Sequence, residues 1–321
     1  NSFIIKNKEN FENKKILITG GNSGLGFAFA KMLLNYDNVS IVLACRNIDR
    51  ANNAKEKLLE INKFANIEIY ILDLSNIEST KKFVGYLYSN EFDYIYLNAG
   101  VLSSGYTLDD ISITYLTNLI SNAYIVKELN NSYFDNSKII YTSTLAVNKP
   151  HKSIDINFIK NKKSTFYKYS TSKFLMTYYF YNSCLKKSNF YIVHPGISDS
   201  NIFSNLPKWL LPIAHLFVKT FTNDSDVGAL PYIHVNNVTN NTKYMMCPKY
   251  SFRGYPKQKN IRSVIKKQNK QLIKDIDNLI NEFYKENQYI SYNCPLISTV
   301  YSCSFKCLVT YLLDRFQSQA I

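Results

Sequence analysis

The eight residues from Tyr167 to Phe174, "YKYSTSKF", hold two tyrosines, two serines, a threonine and two lysines. Positions four apart share one face of a helix, so Tyr169 and Lys173 project together and Lys168 points elsewhere. A phenol beside an ammonium has a definite use. Reduction of a carbonyl delivers a hydride to carbon and a proton to oxygen, and the acid must sit at the carbonyl and be able to cycle. A free tyrosine titrates at about 10, too high for easy exchange near neutrality. A neighbouring ammonium favours the phenolate and lowers that value. With 26 tyrosines and 38 Lys and Arg in the chain, the spacing also arises by chance. The pair therefore counts only with the elements that surround it.

Two further stretches carry chemistry of a matching kind. "TGGNSGLG", Thr19 to Gly26, contains Gly20, Gly24 and Gly26, which let the chain turn sharply and bring backbone amides close to a pyrophosphate at a helix N-terminus. Further on stands Cys45, followed by Arg46 and Asn47. An NAD-binding chain commonly has an acidic residue there, about 20 positions past the glycines, to hold the ribose 2′-hydroxyl. Cysteine removes the repulsion a carboxylate would exert on a 2′-phosphate, and Arg46 offers a planar cation to bind one. That favours NADP(H). The plainer alternative is that Arg46 caps its helix or pairs with Asp49.

The elements needed to position these residues are legible. Apolar runs at Lys14 to Gly20, Val39 to Arg46, Ile67 to Leu74, Tyr94 to Gly100, Lys138 to Ser143 and Phe190 to Gly196 alternate with helical periods. Near-continuous apolar strands separated by helices indicate a parallel sheet covered on both faces. With a glycine turn after the first strand, the expected fold is α/β, a doubly wound dinucleotide-binding sheet. An apolar, proline-bearing insertion at about 202–222 is expected to act as a lid. Residues 1–288 form the expected domain, and 289–321 an apolar, cysteine-bearing tail of open role.

Composition narrows the partners. The chain has 321 residues, 46% hydrophobic and 19% charged, with a net charge of +14. A large core is available and a folded chain is expected rather than global disorder. The basic balance is spread through the chain, and only Lys257 to Lys274 is dense enough to suggest nucleic acid. A solvated helix face explains that stretch better. The six cysteines form no CxxC pair and four histidines accompany them, so no metal is expected. Scattered cysteines and the lack of a charged-then-apolar leader fit a reduced, cytoplasmic protein. The run from Leu296 to Leu313 is too interrupted for a spanning helix, although a membrane-surface contact of the tail stays open.

Taken together, the motifs resemble the short-chain dehydrogenase/reductase family over about residues 14–286. "TGGNSGLG" matches TGxxxGxG; "LNAG" at Leu97 to Gly100 matches Asn-Asn-Ala-Gly with Leu97 replacing the first Asn; "YSTSK" matches YxxxK. "TNLISNAY" resembles the helix with the family's active-site asparagine, "KIIYTSTLA" the strand with its catalytic serine, and "HPGISDS" the turn beside the nicotinamide. "ACRN", "DLS" and "FRGYPK" look most like the branch with retinol dehydrogenases, WW-domain oxidoreductase and protochlorophyllide reductase.

The resemblance implies about seven strands in the order 3-2-1-4-5-6-7. It implies Tyr169 as proton donor, Lys173 tuning it and holding the cofactor's ribose, and Asn118 holding a water that links Lys173 to solvent. Thr144 would orient the carbonyl, with Ser143 the alternative one residue away. Cofactor contacts fall on Thr19, Gly20, Asn22, Ser23, Gly24, Leu25 and Gly26, on Arg46 and Asn47, and on Asp73 and Leu74 for the adenine. They continue at Asn98, Ala99 and Gly100, at Tyr169 and Lys173, at Pro195, Gly196 and Ile197, and at Ser200 for the carboxamide. The implied activity is NADP(H)-dependent transfer of a hydride to or from a carbonyl or alcohol carbon of a lipophilic small molecule, with carbon–carbon double-bond reduction open. Homo-oligomers are common in the family. The competing reading is a non-catalytic NADP(H)-binding sensor or assembly protein.

Overall fold

The computed structural model describes residues 11–144, 153–183, 189–196, 225–237, 244–248, 256–261 and 270–284. The chain divides into two compact units, Asn1–Phe283 and Tyr284–Ile321. The expected boundary at 288–289, the lid at 202–222 and the tail lie outside the described residues.

The short apolar runs form strands β1 (Lys15–Thr19), β2 (Ser40–Cys45), β3 (Asn66–Ile71), β4 (Tyr94–Leu97), β5 (Lys138–Thr142), β6 (Phe190–Val193), β7 (Tyr244–Pro248) and β8 (Pro256–Asn260). They make one sheet in the order β3-β2-β1-β4-β5-β6-β7-β8. Pairing is parallel up to β7, and β8 runs antiparallel to it with Met246 opposite Gln258. The doubly wound expectation therefore holds, with an eighth strand beyond the seven expected. "PKQKN" in β8 has no apolar alternation to announce it. Its lysines and proline suit an edge that must not pair with another chain.

Helices α1 (Gly24–Leu33), α2 (Ile48–Ile61) and α3 (Ile77–Tyr88) follow the first three strands. Asn47 and Asn76 cap α2 and α3, accepting from the backbone N–H of Arg50 and Ser79. On α2, Ala51, Ala54 and Leu58 recur at helical spacing and are buried, leaving the charged remainder in water. After β4 come α4 (Ile113–Tyr115), a π-helical stretch (Leu116–Ser121) and α5 (Asn122–Leu129). Later come α6 (Ile156–Lys160), α7 (Thr165–Ser183), α8 (Ser225–Ile233) and α9 (Lys270–Tyr284). Among the described residues no helix is long and apolar enough to cross a membrane.

Strand order reverses between β1 and β4, so the loops leaving these strands diverge and open a crevice at their C-terminal ends. The core beneath the crevice is aromatic. Phe29 on α1 packs at 4.4 Å from Tyr96 on β4 and stacks at 5.3 Å on Tyr232 of α8, centroid to centroid. An ion pair of 2.5 Å between Lys31 and Asp226 ties the same two helices at the surface. Phe29→Ala removes the ring common to these contacts and is expected to cost about 3–5 kcal/mol. Urea denaturation checks this: the midpoint should fall at unchanged slope, and a loss below about 1 kcal/mol would mean the cluster is not a packing centre.

Candidate functional site

One buried hydroxyl closes the crevice floor. Thr19 ends β1, and its Oγ1 donates to the Tyr96 carbonyl at 3.2 Å while accepting from the N–H groups of Asn98 at 2.9 Å and Ala99 at 3.0 Å. The end of β4 is thereby pinned to the end of β1. Asn98 returns the link, donating Nδ2 to the carbonyls of Thr19 at 3.0 Å and Gly20 at 3.4 Å. Thr19 was expected among the cofactor contacts. The structure buries it completely and off the cavity wall, where its hydroxyl shapes the turn instead.

The glycine turn needs its glycines for two different reasons. Gly20 and Gly24 have φ of 69° and 53°, a region costly for side-chain-bearing residues. A Cβ on Gly26 would meet the Gly20 carbonyl oxygen at 2.5 Å and Asn98 Nδ2 at 2.8 Å, so α1 could not seat so close to the turn. The result is an open-sided cavity of about 280 Å³. Gly20, Asn22, Ser23, Gly24 and Leu25 form one wall, and Asn98, Ala99 and Gly100 another.

The far end of the cavity is cationic. Arg46 and Asn47 line it as expected, and Arg46 makes no ion pair among the described residues; in particular it does not pair with Asp49. Arg50, which the sequence reading missed, lines it too. Its position in the first turn of the helix after β2 faces the crevice, and that was the available signal. Cys45 lies beneath, its thiol pushed up to about 11 by burial, so it adds no charge. Asp73 and Leu74 reach the wall from the end of β3. Asp73 Oδ1 is held by the Ser75 N–H at 2.9 Å and hydroxyl at 2.6 Å, and Ser121 of the π-helical stretch holds the Leu74 carbonyl at 2.8 Å.

Beyond Gly100 lies the second group. Helix α7 is buried continuously from Lys168 to Tyr181, which its sequence of hydroxyls and charges does not suggest. Three of its hydroxyls are satisfied inside the helix: Ser170, Ser172 and Thr177 donate to the carbonyls of Tyr167, Tyr169 and Lys173. Lys173 is 4% exposed, and its Nζ donates to the Thr142 carbonyl at 3.0 Å. The same ammonium sits 5.3 Å over the Tyr141 ring. Burial lowers its pKa from 10.5 to about 8.

Tyr169 is 8% exposed and takes a hydrogen bond from the Thr144 hydroxyl. Its phenol is pushed up to about 12 by burial. The sequence argument expected Lys173 to lower this value. Here desolvation dominates and only the Thr144 hydrogen bond opposes it, while the ammonium is committed to Thr142. Of the two candidate hydroxyls, Thr144 meets Tyr169, whereas Ser143 turns into the core against Thr177 at 2.7 Å.

Asn118, expected to hold a water, is fixed through its side chain by protein partners. At 1% exposure it clamps Val101, accepting from its N–H and donating to its carbonyl, both at 2.8 Å, and it also donates to Ser172 Oγ at 3.2 Å. The π-helical winding presents it, with Thr117 on the cavity wall, from one wide turn. Gly100 is the hinge between the two groups: a Cβ there would lie 3.1 Å from Lys173 Nζ and 3.4 Å from Asn118 Oδ1. Pro195 and Gly196 follow β6, Gly196 with φ of 83°, and neither lines the cavity. Ile197 and Ser200 lie outside the described residues.

Comparison with known proteins shows the family and the fold. The family model for short chain dehydrogenase matches residues 14–210. WW domain-containing oxidoreductase of Gallus gallus is 26% identical over 244 residues, 69% of this chain and 57% of that protein, so the chain spans little more than half of that relative. The 3-keto-steroid reductase/17-beta-hydroxysteroid dehydrogenase 7 of Rattus norvegicus is 26% identical over 268 residues, 66% of this chain and 79% of that one. Among solved structures, an uncharacterized protein from Mycobacterium Paratuberculosis superposes with a TM-score of 0.63 at 17% identity, covering 85% of this chain and 94% of its own, a likeness of fold.

The buried ammonium has a consequence for stability. Between about 8 and 10.5 the unfolded chain holds a proton on Lys173 that the folded chain has lost, so folding strengthens as pH rises through that window and the cost is full below it. Lys173→Met is accordingly expected to melt no lower than the parent at pH 7, with any advantage shrinking as pH rises towards 10.5. Thermal melts across this range check it; a marked loss of stability at pH 7 would mean the ammonium is a net stabiliser.

Proposed function

The chain belongs to the short chain dehydrogenase family, and from that premise we propose that it is an NADP(H)-dependent oxidoreductase that interconverts a carbonyl and an alcohol. The observation that carries this reading is a buried face of α7 on which Thr144 meets Tyr169 and, one turn on, Lys173 reaches Gly100, a residue that also lines the glycine-walled cavity.

The residues fit a phosphorylated dinucleotide. Amides of the Gly20 to Gly24 turn suit its pyrophosphate, and Asp73 with Leu74 suits its adenine. Arg46, with Arg50 one turn on, suits a 2′-phosphate, where an acidic residue would repel one. When bound, NADPH supplies the hydride. The chain's own residues handle the proton and the oxygen. In reduction, Thr144 and Tyr169 donate to the same substrate oxygen, and the Tyr169 proton moves onto it. The phenolate left behind is stabilised by the charge of Lys173, which the Thr142 carbonyl holds in place. Burial of Tyr169, Lys173 and Asn118 keeps water from the transfer and strengthens each of these interactions.

A lipophilic ketone is the proposed substrate class. It is supported by the keto-steroid reductases among the relatives, from Rattus norvegicus and from Schizosaccharomyces pombe. With such ketones and NADPH, Tyr169→Phe is expected to lose about 100-fold or more in turnover while binding NADPH as before. Unchanged turnover would favour a non-catalytic NADP(H)-binding protein. Arg46→Ala should weaken NADPH by roughly ten-fold or more and leave NADH untouched, read by nicotinamide fluorescence. Equal effects on both cofactors would remove the 2′-phosphate from the account.

A further inference from the structure

A single phenol connects the two groups of the site from an element that belongs to neither. Tyr232 lies on α8 and is fully buried. Its Oη is 2.8 Å from Asn98 Oδ1 and 2.9 Å from Thr142 Oγ1. Neighbouring atoms settle which way the protons run. Asn98 Nδ2 faces the carbonyls of Thr19 and Gly20, so Oδ1 is the atom turned to Tyr232, and the phenol donates there. A phenol has one proton, so the Thr142 hydroxyl must donate to Tyr232. The order of donation is therefore Thr142 to Tyr232, Tyr232 to Asn98, and Asn98 to the backbone of the glycine turn.

Thr142 is occupied on its other side as well. Its carbonyl oxygen accepts from Lys173 Nζ at 3.0 Å. One residue at the end of β5 thus carries the ammonium on its carbonyl and the phenol on its hydroxyl. The Tyr232 ring has little freedom to move, being stacked on Phe29 at 5.3 Å with Tyr96 at 5.7 Å. Tyr96 Oη further donates to the Tyr232 carbonyl at 3.0 Å.

We propose that Tyr232 is a positioning residue: it holds the Asn98 amide in the orientation that keeps the glycine turn formed for NADPH, and through Thr142 it keeps that turn in register with Lys173. The inference rests on the cavity being the NADPH site. Loss of the oxygen would leave the buried Thr142 hydroxyl and the half-buried Asn98 Oδ1 without this partner. The Asn98 amide would then be held on its Nδ2 side alone, and each binding event would have to order the loosened turn at a cost in affinity.

The test is an NADPH titration of the full chain by nicotinamide fluorescence, comparing Tyr232→Phe with Tyr96→Phe. Both variants keep their rings and lose a buried phenol oxygen in one aromatic cluster, so both should melt lower. Only Tyr232 touches Asn98. Tyr232→Phe should weaken NADPH about ten-fold, and Tyr96→Phe no more than about two-fold. Parental affinity in Tyr232→Phe, or an equal loss in both variants, overturns the proposal. Should Tyr232→Phe not fold, Thr142→Val removes the other end of the relay; it should weaken NADPH likewise, and parental affinity there overturns the proposal equally. If the parent chain itself binds no NADPH, the underlying reading fails, an outcome distinct from normal parental binding with an indifferent Tyr232→Phe.

Discussion

The arrangement depends on keeping an ammonium inside the protein. Lys173 is almost wholly buried and, among the described residues, has no carboxylate partner. Such a charge is expensive unless its protons are received and its surroundings polarisable. The Thr142 carbonyl, at the last residue of β5, receives one proton. The Tyr141 ring lies beneath the charge, and the absence of a side chain at Gly100 gives it room. The ends of β4 and β5 and the face of α7 are all shaped by this one group. The same burial that makes the ammonium costly would strengthen its field on the phenolate of the proposed reaction.

The second organising feature is a polar network within an apolar core. Thr19, Asn98, Tyr232 and Thr142 satisfy one another across β1, β4, β5 and α8. Networks of this kind are costly when incomplete and rigid when complete. Here the network sits at the reversal of strand order, where the sheet opens its crevice. The fold thus places its stiffest polar contacts directly under the turn that must approach a pyrophosphate. Rigidity at that point spares the binding energy that ordering a loose turn would consume.

Much of this was legible in the sequence, for identifiable reasons. Parallel strands buried on both faces read as apolar runs, so β1 to β6 were visible, and the glycines marked the turn. The spacing of Tyr169 and Lys173 was readable because helical geometry is local. What was hidden depends on distance or direction. Tyr232 meets partners 90 and 134 residues away, and nothing in its own stretch marks it. Thr144 and Ser143 differ in which way each side chain leaves a strand end, and a one-residue uncertainty in alignment exchanges them. Asn118 was identifiable as a site residue but its bond to Val101 was not, because the π-helical winding that aims it there has no sequence signature. The rise in the Tyr169 pKa follows from burial, which spacing alone does not report.

The most direct test of the account is the titration of Lys173 itself, followed by NMR in protein carrying nitrogen-labelled lysine. The buried, carbonyl-held ammonium described here should titrate at about 8, well apart from the surface lysines. A Lys173 signal titrating at its ordinary 10.5 would mean that water reaches the ammonium, and the buried charge on which the site is built would be contradicted.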